Sequence, residues 1–198
     1  MRGYLKLVIA LLSKDFLVTA RSPWELLALL VFSSLSAIPI SLIAGEYASQ
    51  AFSIALLFIT IYLSTQSYTR ELRLGTLEIY QLYPIPPAAH FLEKLAYTAT
   101  LLVLAALTLL ATMAVLGVNA WTVLELAVIA AASTVYLSAA SSLASLIATY
   151  LAGESPLQIA VTATLAVPLL VSIDNSNPLL LALTGVAYSI VSLIIAEL

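Results

Sequence analysis

Residues 91–116 read FLEKLAYTATLLVLAALTLLATMAVL, with both charges, Glu93 and Lys94, at the start and none from 95 to 116. An α-helix rises about 1.5 Å per residue, so about 20 apolar residues cross the hydrocarbon core of a bilayer. The same kind of run recurs at 24–43, 51–69, 122–150, 156–173 and 178–196, which predicts six membrane-spanning helices. The whole chain agrees. Of its 198 residues 63% are hydrophobic and 9% charged, and the mean hydropathy is +1.11. A soluble domain carries about 25% charged residues. The expected fold class is therefore an all-α integral membrane protein, a single transmembrane unit over 1–198. Seven Lys+Arg against ten Asp+Glu, a net charge of −3, argue against a nucleic-acid partner. The absence of cysteine and the single histidine argue against a conventional metal site and against a Cys nucleophile.

The basic residues orient the weave. Arg2, Lys6, Lys14 and Arg21 precede the first run, and Arg70, Arg73 and Lys94 lie between the second and third or at the start of the third. No Lys or Arg follows Lys94, and the connections near 44–50, 117–121 and 172–177 have none. With six crossings both termini share a side with every basic residue, which the positive-inside rule makes cytoplasmic. The expected localisation is the cell membrane, multi-pass.

Helix starts support the breaks. Ser22-Pro23-Trp24-Glu25, Thr122-Val123-Leu124-Glu125 and Ser155-Pro156-Leu157-Gln158 read as capping boxes, and Asn177-Pro178 opens the last run. Trp24, Tyr47, Tyr68, Trp121 and Tyr150 stand near run ends, as interfacial aromatics do. Residues 1–21 read as an amphipathic helix in the membrane interface rather than a signal peptide. Arg2, Lys6, Ser13, Lys14 and Arg21 share an arc of roughly 120° at 100° per residue, and Asp15 falls outside it. Pro39 and Pro168 are expected to kink their helices. Thr134, Ser138, Ser141, Ser145 and Thr149 lie within roughly 80° on one stripe, suited to close helix packing, a dimer seam or a substrate path.

Ionisable groups near mid-membrane mark pumps and ion-coupled carriers. Glu25, Glu46, Glu125, Glu154, Asp174 and Glu197 all stand at run ends or in connections, so such a carrier is not expected. His90 reads as an interfacial residue at the start of the third span, away from paired carboxylates.

The informative segment is 70–94, RELRLGTLEIYQLYPIPPAAHFLEK. Leu74, Leu77 and Leu82 would form one apolar side of a short cytoplasmic helix that Gly75 weakens and that Pro84, Pro86 and Pro87 stop, restarting the chain as the third span. An apolar stripe flanked by charge suits a partner's groove. The order Arg70-Glu71, then Gly75-Thr76-Leu77-Glu78, then Pro84, then Lys94, resembles the cytoplasmic signature of type-2 ABC exporter permeases. Within that superfamily the layout is most similar to the CcmB family, the heme exporter protein B of cytochrome c maturation. The resemblance implies a separate ATP-binding subunit, since the chain has no P-loop; ATP would be bound there, and the chain itself would be no enzyme and hold no cofactor. It implies a coupling helix over 71–83, with Arg70, Glu71, Arg73, Leu74, Gly75, Leu77, Glu78 and Pro84 as partner-coupling residues. Glu71 and Glu78 would meet basic groups on the ATPase, with Leu74 and Leu77 in its groove. It further implies a permease homodimer or heterodimer, heme-handling membrane proteins as partners, and heme as a candidate substrate. The motif fits equally a permease for another amphiphile, such as a lipid, drug or glycolipid; a third reading is a scaffold that transports nothing.

Overall fold

The computed structural model describes residues 2–43, 47–73, 75, 86–150, 155–167, 183–187, 189–191 and 194. Among them the chain is all-helical. The helices are α1 (Arg2–Arg21), α2 (Pro23–Leu42), α3 (Ala48–Arg73), α4 (Pro87–Val115), α5 (Ala120–Tyr150) and α6 (Ser155–Leu165). Four stretches are long and apolar enough to cross a membrane: Pro23–Leu42, Ala48–Ser67, Ala88–Val115 and Ala120–Ser145. The expected fifth run starts in α6; its end, with Pro168, and most of the sixth, with the Asn177-Pro178 start, lie outside the described residues.

Outward faces are apolar, as lipid contact requires. On α2, Leu27, Val31, Leu35, Ile38 and Leu42 are exposed, while Leu29, Ser33, Ala37 and Ile40 are buried. The core joins Leu29 and Ile40 of α2, Phe52, Leu56 and Ile59 of α3, Leu102, Leu109 and Met113 of α4, and Leu126, Tyr136 and Leu137 of α5. The closest partnership is α4 with α5; α3 packs on α5 and α6, and α1 lies chiefly on α4.

Local details depart from the sequence reading. Ser22 stands at the N-terminus of α2 with Pro23 next, but its side chain makes no capping bond; Glu25, the other half of that box, pairs with Arg70 instead. α5 starts two residues ahead of Thr122: Asn119 Oδ1 accepts the Trp121 N–H at 3.1 Å, so the side chain that can reach a free helical N–H sits before the predicted box. Pro39 lies inside the last turn of α2, and the helix runs on to Leu42. The expected helix over 71–83 does not begin at Glu71. Residues up to Arg73 are the end of α3, and Gly75 follows in the left-handed region at φ +64°, the conformation with which glycine ends helices.

On α5, Thr134, Ser138, Ser141 and Ser145 are all buried. Thr134 donates to the Ala130 carbonyl and Ser138 to that of Val135, so these hydroxyls are satisfied within their own helix while the stripe packs on its neighbours. The side chain of Thr149 lies outside the described residues. Tyr136 donates across to the Leu165 carbonyl at the end of α6. Gly185 lies against it: a Cβ there would stand 2.8 Å from the Tyr136 Cα, so only glycine permits this approach.

Candidate functional site: a buried ion cluster joining four helices

Four helices bring charge to one place. Lys94, about two turns into α4, is buried with its side chain 3% exposed. Its ammonium lies 2.7 Å from Asp15 of α1, 2.5 Å from Glu71 of α3 and 3.3 Å from Glu93 of α4, and it also donates to Ser67 Oγ at 3.3 Å. Three carboxylates around one buried ammonium are not balanced by it alone. Lys14 reaches in from the surface to within 3.3 Å of Asp15 and 3.9 Å of Glu71. Arg70 approaches Asp15 at 4.0 Å and Glu25 at 3.4 Å. His90 Nδ1 lies 3.3 Å from Glu93 Oε2. Buried charges are tolerated only when paired and hydrogen-bonded, and this set supplies cations and acceptors from α1, α2, α3 and α4 together.

Arg70 is seated with care. Nη1 donates to Thr19 Oγ1 at 2.9 Å, Nη2 to the Tyr97 hydroxyl at 3.3 Å, and the guanidinium lies 5.4 Å from the centre of the Tyr97 ring, within cation–π range. Thr19 Oγ1 and Tyr97 OH are 2.7 Å apart, and Phe16 meets the Tyr97 ring edge-on at 5.5 Å. A narrow cleft between α2 and α3 leads to this point, with Thr19, Glu25, Ser67, Arg70 and Tyr97 on its polar side and Leu29, Leu63 and Leu101 on its apolar side.

Burial by itself would push the Asp15 carboxyl up. The charges of Lys94 and Lys14 and the hydrogen bond from Lys94 oppose it, and the group is held well below the ordinary carboxylate range. Burial likewise opposes the Arg70 charge, and Tyr97, Asp15 and Glu25 outweigh it. The cluster is thus an ionic joint. Among the described residues no group of His, Asp and Glu is arranged to hold a metal ion.

The structure distributes the eight sequence-predicted residues unevenly. Arg70 and Glu71 lie in the last turns of α3, and their charges are directed into the bundle: the Glu71 side chain is 3% exposed. Arg73 is the last residue of α3, and Gly75 ends the turn. Leu74, Leu77, Glu78 and Pro84 lie outside the described residues. His90 is buried beside the Glu93 carboxylate, not away from carboxylates as its place in the sequence suggested. Sequence reading missed Asp15, Glu93 and His90 as members of one site. A signal existed for Asp15, the one charge off the polar arc of α1: it points inward because its partner is there.

No protein-family model, curated protein or solved structure matches this chain.

Proposed function

We propose that the chain is the membrane permease subunit of an ABC transporter, driven by a separate ATP-binding subunit that docks on the cytoplasmic segment after α3. The observation that carries the reading is the tie of Glu71 to Lys94 and Asp15. Residues 71–83 would be the coupling segment, and Glu71 is its first residue. A push on that segment is delivered through a buried ion joint to α4 and α1 rather than lost in a free loop. Burial of Glu71 leaves Glu78 as the acidic group for the partner, with Leu74 and Leu77 as apolar anchors. The end of the bundle that carries the ion cluster would be the cytoplasmic end, with all seven Lys and Arg of the sequence and both termini on that side. A permease pair over two ATP-binding subunits is the expected assembly. Because ATP drives the cycle, the two states must bind the cargo differently.

Heme handling of the CcmB type is the proposed role. Met113 is in the apolar core and His90 is turned to Glu93, which supports a partner holding the heme iron while this chain supplies mechanical work. Glu78→Arg is expected to lower both co-purification of the ATP-binding subunit and its permease-stimulated turnover. Unchanged values for both would remove the docking assignment. Heme absorbance of the purified complex decides between heme and another amphiphile.

A further inference from the structure

Lys14 and Lys94 approach the same two carboxylates. Asp15 lies 2.7 Å from Lys94 and 3.3 Å from Lys14; Glu71 lies 2.5 Å from Lys94 and 3.9 Å from Lys14. The two ammonium groups are not equivalent. Lys94 is enclosed, with 3% of its side chain exposed, and Lys14 is 33% exposed. A lysine whose flexible stem reaches from the surface can follow a carboxylate that moves outward, whereas an enclosed one cannot. Glu71 is the group placed to move, because it lies in the last turn of α3, which ends at Arg73. If that end swings away, Glu71 leaves Lys94 and needs another cation, since an unpaired carboxylate in a low-dielectric site is costly.

We propose that Lys14 is a positioning residue that takes Glu71 over from Lys94 when the end of α3 moves, so that α1 travels with the coupling segment. In one arrangement Lys94 holds Asp15, Glu93 and Glu71. In the other Lys94 keeps Asp15 and Glu93, and Lys14 holds Glu71. No charge is created or lost, so the exchange is a two-position element of the kind that transmits motion. Only Ser22 separates α1 from α2, and Ser22 N–H bonds to the Thr19 carbonyl. Movement of α1 is therefore passed to the first span, a second route beside the direct one into α4. This inference rests on the coupling reading above.

The chain has no cysteine, so paired spin labels can be placed without background. Leu17→Cys on α1 and Phe58→Cys on α3 replace side chains that are 60% and 58% exposed. The measurement is the distance between the labels by pulsed electron resonance in nanodiscs, for the chain with its ATP-binding subunit, with and without a non-hydrolysable ATP analogue. The analogue is expected to shift the distance by several ångströms in the otherwise wild-type chain. Lys14→Gln is expected to abolish the shift while the ATP-binding subunit stays bound, and Lys14→Arg to restore it. A shift that survives Lys14→Gln, or no shift in the wild type with the subunit bound, overturns the exchange and leaves the permease reading standing. If no ATP-binding subunit accompanies the wild type, the permease reading falls, and the exchange is read in the chain alone with Lys94→Gln. There the label distance is expected to stay narrow while Lys14 is present and to broaden when Lys14→Gln is added; identical distributions overturn it.

Discussion

At the scale of single residues the chain is governed by the cost of placing charge in a poorly solvated site. Lys94 is the hub: removing it leaves Asp15, Glu71 and Glu93 facing one another without their shared cation. Lys94→Met is expected to cost about 3–5 kcal/mol of stability, read as a lowered thermal midpoint in detergent, with Lys94→Arg far milder because the charge is kept. Asp15 gives a pH signature. Its carboxyl is depressed below the ordinary value of 3.8, so its contribution is fully present above that value and is lost as pH falls through the folded-state value. The stability gap between wild type and Asp15→Asn should be constant from pH 8 to about 5 and close as the pH falls below about 4. A gap that closes between pH 8 and 6 would mean that another group dominates. Glycine acts at two places here, Gly75 beyond α3 and Gly185 against Tyr136, for different reasons: the first supplies a positive φ, the second supplies space.

At the scale of elements, helix breaks were legible and helix surroundings were not. Prolines and glycines act on their own neighbours, so Pro23 and Pro87 mark helix starts in sequence and structure alike. Capping depends on which side chain reaches which N–H, and Glu25 was drawn away by Arg70 from a helix distant in sequence. The role of α1 is the clearest case. Its polar arc was readable from periodicity, yet Asp15 made sense only once α4 was laid against it. The last described turns offer a packing test. Gly185→Ala would drive a Cβ to 2.8 Å from backbone of Tyr136, and backbone cannot rotate aside as a side chain can. A loss of about 1–3 kcal/mol is expected, measured by thermal unfolding; a neutral result would mean that the helix at 183–187 can shift outward freely.

At the scale of the whole molecule, sidedness decides the rest. In intact cells an impermeant maleimide is expected to label Asn119→Cys at the head of α5, and to label Lys6→Cys on α1 only after permeabilisation; the reverse pattern would place the ion cluster on the outer face and end the docking proposal. The sequence by itself determined that this chain belongs in a membrane, that its helices are long and apolar, and that no cation follows Lys94. These follow from composition and spacing, because transfer of apolar surface out of water is additive and needs no partner. Of the eight residues singled out for partner coupling, it could not tell which were turned inward. Arg70 and Glu71 read as surface charges because a sequence records no neighbours; their burial was decided by Lys94, Thr19 and Tyr97 arriving from other helices. Only the tertiary structure could gather Asp15, Glu71, Glu93 and Lys94 into one joint, since the energy of a buried charge is set by what stands within a few ångströms of it, whatever its distance along the chain.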